Sequence, residues 1–148
     1  MTHTTRTNTL KLASLGLIGF GVLNFLVLFP ALQPVMGWFL DLAYWTPFGS
    51  DHQIIAPASQ LWSAISGGLL AGWGTMLYMV SAQIYDKDPS LGSRILLTAI
   101  AVWFVINTSV SILVGASFNA VLNFGFLLMF EIPILWPKGK PARSSLTA

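Results

Sequence analysis

The chain has 148 residues, 55% of them hydrophobic and only 8% charged, whereas a soluble domain carries charge on roughly a quarter of its residues. A net charge of +2, from seven Lys and Arg against five Asp and Glu, is too sparse for a nucleic-acid footprint and reads as helix-end anchoring next to anionic lipid. With no Cys, a disulfide relay, a thiolate nucleophile and a thiolate-held metal or cluster are excluded.

The first hydrophobic run extends from about Leu10 to Phe29, long enough to cross a hydrocarbon core of roughly 30 Å. Its basic lead resembles a secretory signal. The run is long for one, however, and Pro30 to Pro34 offers no small-x-small cleavage site, so a retained anchor is expected. Pro30 to Ser59 then forms a longer connection with Pro30, Pro34, Pro47 and Pro57 and no basic residue. Within it, Val35 to Trp45 is apolar and aromatic but too short to span, which predicts a short helix lying in the interface with Pro34 in its first turn.

Further runs cover about Gln60 to Tyr85, Arg94 to Val114 and Phe118 to Trp136. Asp86 to Ser90 makes a polar turn between the second and third, and Gly115-Ala116-Ser117 a short one between the third and fourth. Residues 138–148 are a polar tail without periodicity, expected to be disordered. The expected fold is therefore all-α, one integral domain over 1–148: a four-helix transmembrane bundle with a short interfacial helix in its first outer loop.

Four spans place every cation on one side. Arg6 and Lys11 accompany the first run, Lys87 and Arg94 the turn between the second and third, and Lys138, Lys140 and Arg143 follow the fourth, while the other two connections have none. Basic residues near helix ends are retained in the cytoplasm, so a multi-pass protein of a bacterial cytoplasmic (inner) membrane with both termini cytoplasmic is expected.

Small residues cluster in the second run. Ala64, Gly68 and Gly72 recur every four residues, and Ala13, Gly16 and Gly19 offer a narrow face on the first run. Close backbone approach drives helix association in lipid, so Ala64, Gly68 and Gly72 are the expected packing face, within one bundle or toward a membrane-protein partner or second copy.

The polar residues inside the runs gather near the outer ends: Asn24, Ser63 and Ser66, Asn107 with Ser111, and Asn119 with Asn123, all within roughly 12 Å of the outer surface. Amides facing hydrocarbon lack partners, so they are expected to turn inward. Either they fix helix register by bonding one another, or Asn24, Ser66, Asn107, Ser111, Asn119 and Asn123 line an outward-facing cavity, with Asp51 and His52 of the long loop near its mouth. Glu131 is the one acid within a span; it lies close enough to Pro137 to snorkel or to pair with Lys11 or Arg94, and a proton-linked role is the alternative. His3 and His52 are the only histidines, so a two-histidine haem or metal site inside the bundle is not expected, nor any other cofactor.

Gly67-Gly68-Leu69-Leu70-Ala71-Gly72-Trp73-Gly74, Trp103 to Ser111 and Gly115 to Asn123 resemble a pattern in small four-helix bacterial membrane proteins without assigned activity, and in size and layout the chain is similar to the DoxX-like group. In such relatives an Asp often stands where this chain has Asn107. The resemblance implies a cytoplasmic-membrane protein and no particular chemistry. Without an evident catalytic constellation, an accessory or partner-binding subunit is the first expectation. The alternative is binding or transport of a small molecule, lipid or quinone through the polar cavity. An enzyme using Asp51 and His52 as an acid-base pair is a third. Membrane lipids are the expected surroundings.

Overall fold

A computed structural model describes residues 1–46, 54 and 56–137. It is all-helical, with no strand among the described residues: α1 (His3–Leu26), a 3-10 turn (Pro30–Leu32), α2 (Gln33–Ala43), α3 (Pro57–Met79), a π-helical segment (Val80–Tyr85), α4 (Pro89–Leu113) and α5 (Ser117–Leu135).

Local chemistry sets these boundaries. Thr2 caps α1 by accepting from the Thr5 amide at 3.2 Å, so the helix starts at His3, well before the apolar run, and carries Arg6 and Lys11 inside it. Asp88 accepts from the amides of Ser90 and Leu91 at 3.0 Å each, and Pro89 occupies the first turn of α4. An acidic cap followed by Pro starts a helix, so α4 begins at Pro89 and not near Arg94. α2 also has Pro in its first turn, as expected for Pro34. The second hydrophobic run is not one α-helix to Tyr85: its last six residues widen into the π segment.

Three helices, α1, α4 and α5, are long and apolar enough to cross a membrane, and apolar side chains from Leu12 to Leu135 are exposed along the molecule's flanks, the surface of a membrane protein. α3 is 23 residues long and free of Asp, Glu, Lys and Arg. Gln60, its serines and its glycines leave its most apolar 18-residue stretch below those of the other three.

α1 packs tightly on α3 and α4 on α5; the two pairs meet through α1 against α5 and through the π segment against α4. The α1–α3 contact is almost bare backbone. A Cβ on Gly21 would lie 2.5 Å from the Ala71 amide nitrogen, one on Gly67 would lie 2.5 Å from the Gly21 carbonyl oxygen, and one on Gly74 would lie 2.9 Å from Ile18 Cγ1. Within the chain, this corrects the expected packing face. Gly16, Gly19, Gly68 and Gly72 have nothing within 4 Å of where a Cβ would stand, and Ala64 is half-buried. A strict four-residue step drifts by about 40° per repeat around an α-helix. The alternation of four and three that joins Gly67, Ala71 and Gly74 stays on one side, as near-parallel packing requires.

The hydrophobic core lies in the half of the molecule nearest the Asp86–Asp88 turn. Leu10, Leu17, Leu77, Tyr85, Leu96, Ile100, Leu127 and Phe130 are buried together there. Gly92 lets α4 press onto the Tyr85 backbone, where a Cβ would collide. At this end His3 Nε2 is 3.0 Å from the Asp86 carbonyl oxygen, Thr7 donates to the Asp86 carboxylate, and buried Arg6 donates from Nη2 to the Trp136 carbonyl at 2.8 Å. The chain's start, the 86–88 turn and the end of α5 are thus tied at one end.

Candidate functional site

The opposite half is hollow. A cavity of about 570 Å³ opens where the helix pairs diverge, bounded by α1, α2, α4 and α5 with Leu70 of α3. Its size falls within the range of small-molecule sites, about 300–1,000 Å³. α2 closes over it with Met36, Phe39, Leu40 and Ala43, spaced three and four apart and so on one face. Val35 and Trp38 of α2 are exposed. Phe39 meets Phe20 of α1 with ring centroids 4.8 Å apart. The far end of α2 is held by Trp45, whose ring lies 4.4 Å from that of Phe118, at a left-handed φ of 59°.

Aromatic rings separate the cavity from the core. Trp103 and Phe126, both in the lining, are 4.9 Å apart edge-on. Trp73 lies 5.8 Å from Trp103, and Phe130 lies 5.3 Å from Phe126. Offset and edge-on pairs of this kind add a stabilising electrostatic term to apolar burial, so this layer is a firm floor.

Five of the sequence-predicted site residues, Asn24, Asn107, Ser111, Asn119 and Asn123, line this one cavity. Asn119 Nδ2 donates to Ser111 Oγ at 2.8 Å, and Ser111 Oγ donates to the Asn107 carbonyl at 2.7 Å. Asn123 Nδ2 donates to Thr108 Oγ1 at 3.3 Å, a partner the sequence did not single out. Asn24 Nδ2 turns back to the Phe20 carbonyl at 2.9 Å, and Ser63 Oγ donates to the Asn24 carbonyl at 3.1 Å. The Asn107 carboxamide makes no hydrogen bond among the described residues. A half-buried amide with both its donor and its acceptor unused is the least satisfied polar group on the cavity wall.

Other expected site residues stand apart from the cavity or lie outside the described residues. Ser66 is exposed and outside the cavity: Gly67 faces α1, and one residue turns a helix by about 100°, carrying Ser66 away. Glu131 is half-buried and pairs with neither Lys11 nor Arg94. His3 Nε2 lies 3.4 Å from the Asp86 carboxylate, an ion pair when the imidazole is protonated. Asp51 and His52 lie outside the described residues, as does the tail 138–148 with its three cations. No cluster of three His, Asp or Glu residues with metal-holding geometry occurs among the described residues.

The aromatic floor and the apolar underside of α2 were not singled out from the sequence. The underside had a signal, since Met36, Phe39, Leu40 and Ala43 follow helical spacing. Trp73, Trp103 and Phe126 come from three helices and had none.

Compared with family models, with characterised proteins and with solved structures, the chain matches none.

Proposed function

We propose that this chain is a membrane-embedded binding protein whose hollow half takes a small, largely apolar molecule. One observation carries the proposal: polar residues scattered over α1, α4 and α5 converge on one aromatic-floored cavity and leave the Asn107 amide unused. A network serving only to fix helix register gains by satisfying all its members; an amide left open on an apolar wall is suited to orienting a guest.

In this proposal α3 and its π extension form a fourth span beside α1, α4 and α5, giving the four-helix bundle with α2 as the interfacial helix. Among the described residues Arg6 and Lys87 stand at the tied end, with Lys11 and Arg94 on the adjoining turns. Positive-inside retention puts that end in the cytoplasm of a bacterial cell and the cavity on the outer side.

Gly16 lines the cavity and has open space where a Cβ would stand, so Gly16→Leu fills the cavity without touching a hydrogen bond. Native mass spectrometry of protein released from mild detergent should show a small-molecule adduct on the parent chain that Gly16→Leu loses. Equal adduct occupancy in both would reject the proposal.

A second reading, an accessory subunit acting through a partner helix or a second copy, draws on Gly68 and Gly72. Both face away from α1 with nothing against them. A polypeptide that co-purifies with the parent chain and is lost on Gly72→Leu would favour it.

A further inference from the structure

Resting on that proposal, we infer that the cavity selects an uncharged amphipathic ligand, a neutral head that both donates and accepts hydrogen bonds on an apolar chain. None of the described residues lining the cavity carries a charge at neutral pH; its polar groups are carboxamides and the hydroxyls of Ser111 and Tyr44. A charged head entering it would shed water with no counter-ion to meet among the described lining residues, and desolvation of an unpaired ion costs far more than neutral dipoles return. Nearby charges do not help. Asp41 of α2 and Glu131 of α5 are outside the lining, and Arg6 is at the opposite end, bonded to the Trp136 carbonyl.

The head group follows from what the wall leaves free. Asn119 and Asn123 spend an N–H on Ser111 and Thr108, yet their Oδ1 atoms accept nothing among the described residues, while Asn107 keeps both N–H and Oδ1. A hydroxyl or carboxamide answers both kinds of site. Phe20 and Phe39 line the same cavity, with Trp103 and Phe126 in its floor, and these rings suit an alkyl or ring-bearing chain. Phospholipid head groups and fatty carboxylates are excluded, so the ligand belongs to the neutral amphiphiles: long-chain alcohols, amides and their cyclic counterparts.

The chain contains five asparagines, so selective 15N labelling gives five side-chain amide pairs. Asn8 is exposed and outside the cavity, an internal control. The full chain in zwitterionic micelles would be titrated with decanamide, decyl sulfate and decyltrimethylammonium, which share one tail. Decanamide should move the Asn107, Asn119 and Asn123 amides and leave Asn8 in place, with both ions binding at least about tenfold more weakly. Asn107→Leu should abolish the preference for decanamide while the Asn119 and Asn123 signals stay dispersed as in a folded chain. If all three probes move these amides with similar affinity, neutral selection is wrong and the binding cavity stands. If none does so, the binding proposal and the inference fall together.

Discussion

Asn119, in the first turn of α5, donates its side-chain N–H to Ser111 Oγ of α4 at 2.8 Å, and Ser111 passes the hydrogen bond on to the Asn107 carbonyl. This link fixes the register of the α4–α5 hairpin beside the cavity. Asn119→Leu and Ser111→Ala should each lower stability by about 0.6–1.7 kcal/mol, the range of interhelical hydrogen bonds in membranes. The double variant should cost less than the sum. Thermal unfolding in one detergent would check this, and strict additivity would show that the two residues do not act together.

Asn107→Leu should behave differently. Its carboxamide has no partner to lose among the described residues, so stability should stay the same or rise slightly while ligand retention falls. A melting loss as large as that of Asn119→Leu would count against an open amide.

Gly67→Ala places a methyl against the Gly21 carbonyl, and Gly21→Ala places one against the Ala71 amide. Either must force α1 and α3 apart, at about 1–3 kcal/mol. Gly68→Ala and Gly72→Ala meet nothing within 4 Å and should be neutral or stabilising by up to about 1 kcal/mol, the propensity gap between Gly and Ala. Melting temperatures of the four single variants provide the comparison. Equal losses would restore the four-residue face as the packing surface.

Trp45 holds a left-handed φ of 59° while its ring rests on Phe118. Trp45→Ala loses the ring and keeps the backbone cost; Trp45→Gly loses the ring and relieves that cost, about 1–2 kcal/mol. The Gly variant should therefore unfold at the higher temperature of the two. The reverse order would mean that α2 ends in another conformation.

Glu131 has no ionic partner among the described residues. Glu131→Gln should leave the melting temperature unchanged or raise it, because no pair is broken and a charge is removed from an apolar helix. A marked fall would reveal a partner that the carboxylate serves.

Much of the cavity wall was legible because amides in apolar runs have few places to go: Asn24, Asn107, Ser111, Asn119 and Asn123 share one depth, and hydrocarbon is a costlier surrounding for an amide than the bundle interior. Depth carries no azimuth, which is why Ser66, at the same level, could be assigned inward although it faces out. The small-residue run from Ser63 to Gly74 is narrow nearly all round, so periodicity alone did not distinguish the Gly67–Ala71–Gly74 side from the Ala64–Gly68–Gly72 side. Contact with Gly21 decides it. The π segment has no residue signature; it ends at Tyr85, where Gly92 brings α4 against its backbone. Ring stacking among Trp73, Trp103 and Phe126 depends on where three helices converge.

The proposed pocket opens toward the outer face of the membrane, with Asn107 on its wall. Because the chain has no cysteine, Asn107→Cys and Ile100→Cys each introduce a single reporter, the second in the fully buried core. A small membrane-impermeant methanethiosulfonate applied to intact cells should modify Asn107→Cys and leave Ile100→Cys untouched. Modification of Asn107→Cys only in inverted vesicles, or in neither preparation, would contradict the account.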